Sequence, residues 1–153
     1  MQERILEWVA ENNKQIHDNG YIILGPPGIG KTTFVSQYPH QWVDADEIIP
    51  AMGIHTEDWH SVEHSEQEQK EHYLACDRAL GEMRAMGLWV IGSLFWKFKA
   101  DAVVLIDVST HKSYVNERRD LCWSQVEKIS SILNEIALSK KIPIYKTIED
   151  ASG

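Results

Sequence analysis

Nine consecutive residues, Gly25-Pro26-Pro27-Gly28-Ile29-Gly30-Lys31-Thr32-Thr33, match the pattern G-x-x-x-x-G-K-[ST]. Glycines in such a loop leave room for backbone N–H groups to curl round an anion. Lys31 is spaced to reach the β- and γ-phosphates of a nucleoside triphosphate, and the Thr32 hydroxyl to ligate magnesium. The chemistry implied is the handling of a polyphosphate tail, with every position from Gly25 to Thr33 lining the cradle. The competing reading is a glycine turn with an incidental lysine.

Such a loop needs a strand before it and a helix after it. Tyr21-Ile22-Ile23-Leu24 is apolar and β-branched, as a buried strand requires, and Lys31 to Tyr38 fits two helical turns halted before Pro39. The helix N-terminus would add about half a positive charge at the phosphate end.

A second pair of candidates closes the next short strand, Gln41-Trp42-Val43-Asp44, running into Ala45-Asp46. Open parallel sheets bind ligands beyond the carboxyl ends of their strands. Asp44 could hold magnesium through water, and Asp46 could accept the proton of an attacking oxygen. Phosphoryl transfer needs such positioning and charge compensation and little covalent chemistry. The same two acids also fit a turn and helix cap ahead of Glu47-Ile48-Ile49.

The remaining elements follow from periodicity. Gln2 to Asp18 carries Ile5, Leu6, Val9 and Ile16 at near-helical spacing with a stop at Asn19-Gly20, so residues 1–20 read as a packing helix. Tyr73, Cys76, Leu80 and Met83 share one face of a helix over Glu66 to Met86. Leu88 to Ile91, ending at Gly92-Ser93, and Ala102 to Val108 are apolar throughout, as strands covered on both faces are. Tyr114, Arg118, Leu121, Cys122, Val126, Ile129, Leu133 and Ile136 keep helical spacing from His111 to Leu138, and Ile142 to Ile148 reads as a last strand. Strands alternating with helices predict an α/β fold with a five-stranded parallel sheet and right-handed crossovers.

Composition narrows the function classes. At 153 residues the chain suits one domain, residues 1–153, able to bury a core without disulfides. Cys76 and Cys122 both fall in helix-like stretches and read as reduced core thiols, which suits a cytoplasmic setting. Charges threaded through Met1 to Gln15 leave no uninterrupted apolar segment of a secretion signal, and no run reaches the length of a membrane span. Of the net charge of −8, residues 55–77 supply −6, with seven acids against Lys70 alone. No extended nucleic-acid surface is expected, because neutralising many phosphates takes a basic stripe.

The loop, the Asp44-x-Asp46 pair, a fourth strand followed by an arginine-bearing helix, and a terminal strand together resemble the small P-loop kinases. These include nucleoside monophosphate kinases, shikimate and gluconate kinases, and the kinase domain of polynucleotide kinases. The resemblance spans most of Tyr21 to Ala151, and its specific motif is the loop. It implies a three-layer sandwich with a short helical lid, ATP as donor, Mg²⁺ as cofactor, and a small acceptor. Carried over, Lys31, Asp46 and Arg118 would be catalytic, Asp44 and Thr32 would hold the metal, and Arg119 would help bind the cofactor from the lid. Arg118 shares a helical stripe with Tyr114, Leu121 and Cys122, so it is expected to face the protein body; an ion pair with Glu117 or Asp120 is the alternative.

Two features depart from that family. Strand three ends in Gly92-Ser93, where many nucleotide kinases place an acidic-glycine sequence, and no arginine follows. Lys97, Lys99, Arg78 or Arg84 would then have to hold an acceptor phosphate. Asp107 resembles a magnesium-binding acid, but a fourth strand leading into a lid usually ends in a structural aspartate, which is the favoured reading. His60 and His64, with His55 and His72 nearby, read as solvated or substrate-facing before metal-ligating, and Trp59 or Trp96 could stack on a base.

Three functions follow from the residues. The leading expectation is a kinase acting on a nucleoside or deoxynucleoside monophosphate. An alternative acceptor is a small-metabolite hydroxyl or a polynucleotide 5′-hydroxyl, which the acidic segment suits better. A nucleotide-dependent ATPase or switch is the third, disfavoured by the absence of an N-K-x-D sequence and of a catalytic glutamate after an apolar strand.

Overall fold

The structure, a computed structural model, describes residues 2–54, 63–93 and 98–153. His55, Trp59, His60, Trp96 and Lys97 lie outside the described residues. The elements run α1 (Gln2–Glu11), β1 (Tyr21–Leu24), α2 (Lys31–Gln37), β2 (Trp42–Asp44), α3 (Ala45–Ala51), α4 (Glu66–Ala85) and β3 (Trp89–Gly92). They continue with β4 (Ala102–Val104), α5 (Val108–Glu117), α6 (Trp123–Lys140), β5 (Ile144–Tyr145) and α7 (Ile148–Ala151). The protein is α/β, and its five strands form one all-parallel sheet in the order β2-β3-β1-β4-β5. Ile23 pairs with Ala102, Leu24 with Val103, Val103 with Ile144 and Val104 with Tyr145.

The chain gathers into two compact units. The first comprises residues 1–21, 39–90 and 95–98, with α1, β2, α3, α4 and the start of β3. Its α1 stops at Glu11, seven residues short of the expected end. Asn13 adopts a left-handed φ of 52°, while Lys14 N–H donates to Val9 C=O and Asn13 N–H to Ala10 C=O. This closes the helix with a paired reverse-bonded cap, which asparagine can supply because it tolerates left-handed backbone. The next residues are tied by long-range bonds instead: Gln15 N–H to His40 C=O and His17 N–H to Gly87 C=O. Gly20 is required there by contact, since a Cβ would sit 2.1 Å from the Arg84 carbonyl oxygen. The α4 helix starts with a reciprocal cap between Ser65 and Glu68 and buries Cys76, Leu80 and Met83 of the expected face, with His72 and Ala79, while Tyr73 is only half-buried.

The second unit comprises residues 22–38, 91–94 and 99–153. Ile22, Ile23 and Leu24 of β1 and all three residues of β4 are buried, as continuous apolar strands should be. Asp101 fastens β4 to β1, its carboxylate accepting from Ile22 N–H at 2.8 Å. β4 ends at Val104, earlier than the hydropathy suggests, because Asp107 caps α5. β5 is likewise shortened to two residues, with Thr147 capping α7.

The long helix expected from His111 to Leu138 is two helices, α5 and α6. Arg118 is extended at φ −101° and ψ 134°, and Cys122 is the extended N-cap of α6. Arg118 pairs with Asp120, two positions on, a spacing that cannot face on a helix. The charged run Glu117 to Asp120 offers no apolar burial to continue α5. Among the described residues, no helix is long and apolar enough to cross a membrane.

Candidate functional site

The sheet order itself marks a position. Beyond β1 the chain runs to β2, and beyond β4 to β5 on the opposite edge, so neighbours β1 and β4 form a switch point. Ligands of open parallel sheets bind beyond the carboxyl ends at such a point. The segment leaving β1 there is the Gly25–Thr33 loop.

The loop is built from its glycines. Gly28 and Gly30 have φ of 82° and 95°, in the left-handed region that L side chains rarely occupy. A Cβ on Gly28 would lie 2.8 Å from Val115 Cγ2 and 3.3 Å from Leu121 Cδ1, whereas among the described residues a Cβ on Gly30 would meet nothing within 4 Å. Gly28 therefore backs onto the α5 end and the connection to α6, and none of the described residues crowds Gly30. Gly25 N–H donates to Gly92 C=O at 2.9 Å, holding the loop's first residue to the end of β3. Pro26, Gly28 and Ile29 are buried, Pro27 is half-buried, and Gly30 caps α2 without a side-chain bond.

Lys31 is only 7% exposed. Its Nζ donates to Ser93 Oγ at 2.7 Å and, at a longer 3.4 Å, to the carbonyls of Gly25 and Pro26. A buried ammonium is tolerable only where hydrogen bonds replace its water. The two carbonyl bonds are long enough to be exchanged for better acceptors. Thr32 and Thr33 are exposed on the first turn of α2. Ser93, which the sequence marks only as a departure at the end of strand three, gains a place beside the loop through its bond to Lys31. His111 was missed, since nothing local marks a histidine 84 residues from its partner: its Nε2 lies 2.9 Å from the Pro27 carbonyl.

Asp44 and Asp46 belong to the first unit. Asp44, 4% exposed, is the N-cap of α3 and accepts from Asp46 N–H at 2.9 Å; Asp46 is exposed in that helix's first turn. The cap reading of the pair is therefore realised, and strand two ends one residue before Ala45-Asp46.

Arg118 does not face the body of the protein. It is an exposed residue whose Nη2 and Nε donate to the two oxygens of Asp120 at 2.6 and 3.1 Å. The helical stripe that predicted an inward side chain ends one residue earlier. Arg119 is exposed beside it. Asp107 is occupied as a cap, its Oδ2 accepting from Ser109 Oγ at 2.6 Å and Thr110 N–H at 3.2 Å. Those bonds, the Ser109 hydroxyl first, hold its carboxyl below the usual carboxylate range.

The two thiols differ. Cys76 is buried and its pKa is pushed up to about 12 by burial, with Asp77 adding to the effect. Cys122 is exposed, contrary to the core position expected, because the helix it was assigned to breaks there. The Ser124 hydroxyl, then backbone N–H groups of α6, lower its pKa. His64 pairs with Glu68 at 3.4 Å, and His72 lies 3.7 Å from Cys76 Sγ. Among the described residues, no group of three or more His, Cys, Asp or Glu side chains could hold a metal ion.

No protein-family model matches the chain, and comparison with curated proteins finds no match. The functional reading rests on the residues themselves.

Proposed function

We propose that the protein is an ATP- and Mg²⁺-dependent phosphotransferase of the small P-loop kinase type, acting on a small acceptor, with a nucleoside or deoxynucleoside monophosphate favoured. The observation that carries this reading is the buried Lys31 ammonium, held by Ser93 and loop carbonyls behind two left-handed glycines. A polyphosphate fits the residues present. Among the described residues nothing lies within 4 Å of the Cβ that Gly30 lacks, and alternating left-handed backbone turns successive N–H groups toward an anion.

In this reading Lys31 exchanges its weak carbonyl bonds for phosphate oxygens and neutralises charge as it builds on the transferring group. The exposed Thr32 hydroxyl would hold magnesium, which when bound would supply further charge neutralisation. The resemblance would give Asp44 to the metal and Asp46 to the acceptor; both belong to the first unit, where Asp44 also caps α3. Arg118, from the connection between α5 and α6, would serve as a lid arginine only after leaving Asp120, and Arg119 needs no such release from that carboxylate.

A second reading keeps the chemistry and changes the acceptor to a neutral hydroxyl, on a small metabolite or a polynucleotide 5′ end. The acidic balance of residues 55–77 and the neutral Gly92-Ser93 at the end of β3 favour it.

The test is phosphoryl transfer from ATP and MgCl₂ to nucleoside monophosphates, nucleosides, sugars and 5′-hydroxyl oligonucleotides. Lys31→Ala is expected to lower turnover by about 10²–10³-fold, the loss typical of removing one preorganised electrostatic donor. Its circular dichroism should stay unchanged. Undiminished transfer by folded Lys31→Ala refutes the assignment.

A further inference from the structure

We propose that His111 is a positioning residue for the phosphate loop, setting the direction of the Gly28 N–H through the Pro27 carbonyl. The inference rests on the nucleotide-binding reading above. His111 sits in the first turn and a half of α5, is 3% exposed, and its Nε2 lies 2.9 Å from Pro27 O. A carbonyl oxygen only accepts, so Nε2 must carry the proton in every ionisation state that keeps this bond. The tautomer of the neutral ring is therefore fixed as Nε2–H.

The consequence passes through the peptide plane. Pro27 C=O and Gly28 N–H belong to one trans peptide, in which the two groups point in opposite directions. Drawing the carbonyl toward His111 turns the Gly28 N–H away from it. Gly28 itself is held by the same wall, with Val115, Leu121 and His111 the nearest groups to the Cβ it lacks.

His111 is in turn held at its backbone and at its ring. Asp107 caps α5, and His111 N–H donates to the Asp107 carbonyl at 2.8 Å. The ring meets Trp123 of α6 edge to face, with centroids 5.1 Å apart and planes at 90°. A histidine so placed costs little further entropy when the bond forms, so the loop is preorganised before nucleotide arrives.

The experiment compares His111→Gln, which keeps a donor at nearly the same reach, with His111→Leu, which removes it. Titration calorimetry with ATP and MgCl₂ should show the glutamine variant within about threefold of the original protein and the leucine variant about tenfold weaker, as for loss of one buried bond partner. Long-range proton–nitrogen NMR of the original protein should show an Nε2–H tautomer for the signal that disappears in His111→Gln. A structural role alone would lower both melting temperatures without separating the two affinities. Equal affinity of His111→Leu and the original protein, equal weakening in both variants, or an Nδ1–H tautomer overturns the inference while leaving nucleotide binding intact. Absence of ATP binding by the original protein removes both.

Discussion

Replacing each of the two left-handed glycines by alanine separates what the loop needs for its shape from what it needs for its ligand. Both substitutions place a Cβ on left-handed backbone, which costs about 1–2 kcal/mol. Among the described residues, only at Gly28 does the new methyl also strike packed atoms, 2.8 Å from Val115 Cγ2 and 3.3 Å from Leu121 Cδ1. Overpacking of that kind adds about 1–3 kcal/mol, bringing Gly28→Ala to roughly 2–4 kcal/mol once Leu121, only half-buried, yields. For a chain of this size each kcal/mol moves the melting temperature by about 2–4 °C, so Gly28→Ala should melt about 5–15 °C lower and Gly30→Ala about 2–8 °C lower. Nucleotide binding should rank the other way. A methyl on Gly30 projects into the side assigned to the polyphosphate, so Gly30→Ala should bind ATP worse for a smaller loss of stability. Thermal melts by circular dichroism and calorimetric titration of both variants supply the two rankings. Gly30→Ala melting as low as Gly28→Ala, or binding ATP normally, would refute the assignment of the two faces.

Two further expectations concern Asp44 and the two thiols. Asp44→Asn retains a side chain that can cap α3 and should stay near the original stability. Asp44→Ala should lose about 1 kcal/mol from the cap alone, measured by urea unfolding. If Asp44 also serves the metal, the asparagine variant will need more magnesium at unchanged stability; an unaltered magnesium requirement limits Asp44 to its cap. For the thiols, a maleimide or iodoacetamide should modify Cys122 in the native protein and leave Cys76 untouched, since the thiolate is the reactive form and burial pushes Cys76 up to about 12. The rate at Cys122 should rise with pH through a midpoint below that of an ordinary thiol. Mass spectrometry finding Cys76 labelled before unfolding would contradict its burial.

What was legible in the residues was local or periodic. The Gly25–Thr33 loop could be read directly because its constraint is conformational and contiguous: two glycines at positive φ, then a lysine opening a helix. Buried parallel strands announced themselves because covering both faces leaves no polar alternation, as in β1 and β4. The α1 helix outran its true end in the reading, since Ile16 keeps helical spacing, yet Asn13 had already turned the chain and left Ile16 exposed. The long helix through Arg118 failed for a related reason. Periodicity counts apolar positions and does not register that Arg118 and Asp120 bond more directly when the backbone is extended. Tertiary structure alone decided the surroundings of Lys31 and Pro27. Ser93 lies 62 residues from Lys31 and His111 lies 84 from Pro27. Hydrogen bonds of such separation leave no trace in spacing or composition, because the chain between them is folded by its own local and apolar demands. The sequence determined a contiguous glycine loop between a strand and a helix; the packing of α5, α6 and the end of β3 decided which side chains hold that loop.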